Sequence, residues 1–77
     1  MKYEHEQKYR QIGLKISYYR KLRGLTQEQL AEKIDKAPAF IGHVEAPNVS
    51  KAVSLDTLFD IADVLDVPAH KFLLFDD

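Results

Sequence analysis

His5, His43 and His70 are widely separated, without the short spacings that put two imidazoles on one metal ion. No cysteine is present, which removes disulfides and thiolate ligands and fits a reducing compartment. Nothing pairs a nucleophile with a base, and no glycine-rich loop is built to cradle phosphates. The expectation is therefore no enzyme, no metal site and no cofactor. What the chain does offer is side chains suited to phosphate oxygens. Asn48, Ser50 and Lys51 stand together in the run Pro47-Asn48-Val49-Ser50-Lys51. A plain solvated loop has the same composition.

The formal net charge of −1 is unlike that of most nucleic-acid binders, but the charges are unevenly spread. Residues 1–53 hold ten of the eleven Lys and Arg against six acids, a balance of +4. Residues 54–77 hold Lys71 against six aspartates, a balance of −5. A basic front and an acidic back suit one face laid on phosphate and another turned away; ordinary surface charge accommodates the same numbers. Seventy-seven residues, 45% hydrophobic and 30% charged, allow one globular domain with one modest core. No apolar run approaches the roughly 18 residues of a membrane span. The start, Met1-Lys2-Tyr3-Glu4-His5-Glu6, lacks the apolar stretch of a signal peptide. A cytoplasmic protein is expected, with residues 1–8 as an N-terminal extension and residues 9–77 as the domain.

Apolar periodicity supplies the elements. Tyr9, Ile12, Ile16 and Tyr19 step by three and four, which predicts an amphipathic helix over 7–23 closed by Gly24. Thr26 reads as the N-cap of helix two, with Gln29 as its capping-box partner and Leu30, Ala31 and Ile34 turned inward. Asp35-Lys36-Ala37 is the turn, where Asp35 tolerates a left-handed backbone better than most residues. Helix three is expected to take Ala37 as a poor N-cap and Pro38 as its first residue. Ile41 and Val44 face inward, and the helix runs to about Ala46, before Pro47. Ser54 caps helix four, with Leu55, Leu58, Ala62 and Leu65 as its buried stripe, and Pro68 opens a short fifth helix over 69–75.

The segment Gly24-Leu25-Thr26-Gln27-Glu28-Gln29-Leu30-Ala31-Glu32-Lys33-Ile34, followed by Ile41-Gly42-His43-Val44-Glu45, is two short amphipathic helices around a tight turn. That is the sequence form of a helix-turn-helix, whose second helix enters a DNA major groove. The run resembles the repressor/Cro-type (xenobiotic-response-element-like) helix-turn-helix transcriptional regulators, over about residues 10–75. The resemblance implies an all-α, compact five-helix repressor-like DNA-binding domain with the helix-turn-helix at helices two and three. Double-stranded DNA is the partner it implies.

The resemblance also implies residue roles. Gln27 matches the glutamine that holds a phosphate at the start of helix two. Arg20 and Glu45 match a structural ion pair that joins helices one and three. The base-reading positions fall on Pro38, Ala39, Phe40, Gly42 and His43, where His43 is the one polar reader and Ala39 and Phe40 can touch thymine methyl groups. Gly42 permits close backbone approach, to DNA or to another helix. Lys36, with Gln27 and the Asn48–Lys51 loop, is expected on the phosphate-facing side. Pro47 departs from the family, which often has a helix-capping glycine near this point.

The expected function is sequence-specific DNA-binding transcriptional regulation with helix three in the major groove. A helix-turn-helix protein-interaction module and an antitoxin component are the alternatives. Phe59, Ile61 and Val64 lie off the stripe of helix four, and Phe72-Leu73-Leu74-Phe75 follows. This apolar surplus points to a homodimer through helix four and the C-terminal segment, with Phe59, Phe72 and Phe75 as contributors. A core filled from several sides is the other reading. No small-molecule ligand is evident.

Overall fold

Helix-forming stripes and strong stop signals produce four α-helices and a terminal 3-10 helix in a computed structural model that describes residues 5–46 and 52–75. They are α1 (Glu6–Leu22), α2 (Gln27–Lys33), α3 (Phe40–Glu45), α4 (Leu55–Leu65) and the 3-10 helix Ala69–Leu73. There is no strand among the described residues. The all-α expectation holds, with the fifth helix a 3-10 turn rather than an α-helix. α1 begins at Glu6, inside the stretch expected as an extension. Glu6 suits the positive end of the helix and pairs with Arg10 one turn on, at 3.3 Å.

Three helices end in the same way. Gly24 (φ 73°), Asp35 (φ 59°) and Asp66 (φ 56°) take left-handed backbone after α1, α2 and α4. Each reverses the chain so that the next N–H bonds back across the last turn: Leu25 to the Arg20 carbonyl, Lys36 to Ala31 and Val67 to Ala62, at 2.9–3.1 Å. Arg23 reinforces the third end, its Nε donating to the Leu65 carbonyl at 2.7 Å. The N-termini follow their sequence signals. Thr26 and Gln29 form the full capping box, and Ser54 Oγ accepts from the Thr57 N–H.

α3 differs from expectation at its start. It begins at Phe40, with Pro38 and Ala39 in a preceding turn and no side-chain cap. Neither Ala37 nor Ala39 has a side-chain acceptor, so the first turn closes through backbone alone, Phe40 N–H to the Ala37 carbonyl at 2.9 Å. Its end is set by Pro47: Ala46 is extended (ψ 128°), as the residue before a proline must be.

The core gathers Ile12 and Ile16 of α1, Leu30, Ala31 and Ile34 around α2, and Ile41 and Val44 of α3. Leu58, Ile61, Ala62 and Leu65 of α4 close it. Two expectations are corrected. Ile61 is fully buried whereas Leu55 is 59% exposed, so the inward face of α4 is rotated from the expected stripe. Phe72 is not a surface residue: it is fully buried, its ring edge-to-face with Tyr19 at 5.6 Å. The 3-10 helix thus plugs the base of the α1–α4 core, and Phe75 is partly buried against it, with Lys15 over its ring.

Gly13 sets how closely α1 and α3 approach. A Cβ there would lie 2.3 Å from the Val44 carbonyl oxygen, which is backbone and cannot step aside. Gly13→Ala is expected to cost at least about 2 kcal/mol by overpacking the helix contact. Gly24→Ala meets open space and should cost about 1–2 kcal/mol through its left-handed backbone alone. Urea denaturation of both variants checks the pair: the Gly13 variant should also alter near-ultraviolet dichroism, and the Gly24 variant should not.

Candidate nucleic-acid interface

α3 is fixed by one buried carboxylate. Arg20 Nε and Nη2 donate to Glu45 Oε2 and Oε1 at 2.7 and 2.8 Å, a bidentate pair with side chains only 9% and 5% exposed. Arg20 Nη1 donates to the Leu25 carbonyl at 2.7 Å, so the same guanidinium also holds the α1–α2 turn. Gln27 completes the arrangement: its Nε2 donates to Glu45 Oε1 at 2.9 Å. Burial alone would weaken the charge on Arg20, but the hydrogen bond to Glu45 outweighs it and holds the guanidinium pKa above its already high normal value. Arg20 therefore stays cationic throughout the physiological range.

The expected ion pair is present. One N–H of the Gln27 amide, the group expected to hold a phosphate, is engaged by Glu45. Its Oε1 lies against Gly42, where an added Cβ would come within 3.3 Å. Gly42 thus accommodates the Gln27 side chain across α3. That partnership, between residues fifteen apart in the chain, carried no sequence signal.

The outer surface of the unit is a shallow concavity of about 400 Å³ between the starts of α2 and α3, lined by Gln27, Glu28, Pro38, Ala39, Gly42 and His43. Pro38, Ala39 and His43 are exposed there, as their assigned role needs. Phe40 is half-buried, with the Lys36 ammonium 5.5 Å from its ring centre. Lys36 is exposed on the turn beside the concavity rather than in its lining. Glu28 was not among the expected residues, yet it brings a carboxylate to this face. Asn48, Ser50 and Lys51 lie outside the described residues. Among the described residues no acidic, His or Cys cluster could hold a metal ion, and no helix is long and apolar enough to cross a membrane.

Residues 16–72 match the helix-turn-helix family signature. The chain belongs to the repressor/Cro-type helix-turn-helix family. It is similar to the HTH-type transcriptional regulator SinR of Bacillus subtilis (strain 168), at 36% identity over 62 residues, which is 80% of this chain and 55% of the relative. The SinR of Bacillus licheniformis matches equally well. The chain thus spans about half the length of these curated relatives. The fold is similar to a crystal structure of the biofilm master regulator SinR in complex with DNA, with a TM-score of 0.74 and 35% identity. That match covers 82% of this chain and 98% of the other. In this helix-turn-helix chain, then, the buried pair and Gln27 orient the helix that faces outward.

Glu45→Ala would leave Arg20 buried without its carboxylate and should cost about 3–5 kcal/mol of stability. Arg20→Met combined with Glu45→Leu removes both charges and should cost much less than Glu45→Ala alone. Urea unfolding midpoints of the two variants measure the difference.

Proposed function

We propose that this protein is a cytoplasmic, sequence-specific DNA-binding transcriptional regulator that lays α3 in the major groove of double-stranded DNA and acts as a homodimer. The observation that carries the reading is the bidentate Arg20–Glu45 pair with Gln27 on the same carboxylate, which anchors α3 while Pro38, Ala39 and His43 stay exposed on its leading side. The likeness to SinR bound to DNA supports it.

In this reading Lys36, Lys51, Asn48 and Ser50 hold phosphates, and His43 reads a base edge while Ala39 and Phe40 contact thymine methyl groups. Gln27 acts mainly by placing α3. Direct readout through so few polar groups is shallow, and sequence-dependent groove shape supplies the remaining discrimination. A protein-interaction module is the second reading, favoured by the apolar run Pro38-Ala39-Phe40 at the leading end.

Duplex binding measured by fluorescence anisotropy across a salt series separates the two. A regulator gives a steep loss of affinity with salt; a protein-binding module gives no measurable duplex affinity. Lys36→Ala and Lys51→Ala should each weaken all duplexes about equally and lower the salt slope by about 1. Glu28→Gln should tighten binding to every duplex, because it removes a carboxylate from the phosphate-facing side.

A further inference from the structure

Among the described residues, the exposed large apolar side chains avoid α2 and α3. On α1 they are Leu14, Tyr18 and Leu22, each about 60% exposed and spaced by four, so they form one stripe. On α4 they are Leu55 and Phe59, also four apart. Leu73 and Leu74 join the two sets: Leu74 shares a hollow with Leu14 and Tyr18, and Leu73 shares another with Leu55. The stripe on α1 lies about 100–180° round the helix from Gly13 and Arg20, which face α3. The apolar stripe of α1 is thus turned away from α3.

The charges around the two stripes are opposite. Besides Arg20, which is buried against Glu45, α1 carries Lys8, Arg10, Lys15 and Lys21, and its one acid, Glu6, is paired with Arg10. α4 carries Asp56, Asp60 and Asp63, all exposed, and no base. Two copies meeting α4 to α4 would face aspartate with aspartate. α1 of one copy against α4 of another faces lysine with aspartate around matching apolar stripes.

We propose that the homodimer forms by reciprocal cross-pairing, with the Leu14–Tyr18–Leu22 face of each α1 seated on the Leu55–Phe59 face of the partner copy's α4. A two-fold axis satisfies both contacts at once, since each copy offers both halves. The apolar stripes supply the attraction and the charges select this pairing over the like-with-like one. The proposal rests on the homodimer part of the functional reading, and its test uses no DNA, so it fails or stands apart from DNA binding.

The experiment is sedimentation equilibrium of the full chain and two charge-reversed variants, Lys8→Glu/Lys21→Glu and Asp60→Lys/Asp63→Lys, with folding verified by circular dichroism. Cross-pairing predicts that each variant alone self-associates about tenfold or more weakly than the wild type. An equimolar mixture of the two should associate again, because each then presents the charges the other needs. Added salt should weaken the wild-type dimer, since opposite charges meet. Tyr18→Glu, at the centre of the α1 stripe, should abolish association while the fold persists. A wild-type chain monomeric from micromolar to sub-millimolar concentration would overturn the proposal. So would a Lys8→Glu/Lys21→Glu variant that dimerises like the wild type, which is the signature of α4-to-α4 contact. A mixture that stays monomeric counts against it equally.

Discussion

Every feature of the outward-facing unit depends on one carboxylate held away from water. Glu45 accepts from Arg20 twice and from Gln27 once. Those donors come from the first helix and from the start of the second, so one side chain on α3 fixes its position against both. A pair this buried adds little net stability over an apolar replacement, because desolvating both charges offsets their attraction. What it contributes is uniqueness of geometry: an apolar contact tolerates sliding, whereas a bidentate fork does not. Gly13 complements it sterically by letting the Val44 carbonyl reach the backbone of α1.

The remaining architecture serves this junction. Left-handed residues at Gly24 and Asp35 turn the chain sharply on either side of α2, so that three helices pack within a few residues of linker. The non-glycine examples at Asp35 and Asp66 carry some backbone strain, which the recovered hydrogen bonds and, for Asp66, the Arg23 contacts offset. Buried Phe72 then closes the far end of α1 and α4, and it is around this closure that the apolar surface collects.

Local chemistry was legible in the residues. The Thr26–Gln29 capping box, the Ser54 cap and the reversals at Gly24 and Asp35 all depend on side chains within five positions of one another, and each appears where its signal lies. Arg20 with Glu45 was legible only through family resemblance, since nothing local marks residues 25 apart as partners. Three features escaped for physical reasons. The stripe of α4 held at Leu58, Ala62 and Leu65 but wrongly took in Leu55 and missed Ile61, because the helix is packed from several sides and its buried arc is too wide for a three-four pattern to set its edges. Phe72 read as surplus because a five-residue 3-10 segment has no periodicity to show which side turns inward. Gln27 was placed correctly, but its hydrogen-bond partner lay on another helix; Gly42 was read as permitting close approach, and nothing local named Gln27 as the group that approaches.

The position of Glu45 has a mechanical consequence. It is the last residue of α3, and the opposite end has no side-chain cap. The helix, about 9 Å long from its six residues, is thus pinned by hydrogen bonds at its rear and by the buried apolar side chain of Ile41 near its leading end. A tilt of about 10° about the rear pin carries the leading end through about 1.5 Å, half a hydrogen-bond length. Gln27, pressed against Gly42 near the middle of the helix, is the brace that limits this swing together with Ile41. A substitution at the brace would thus act at the tip, on residues that Gln27 itself need never touch.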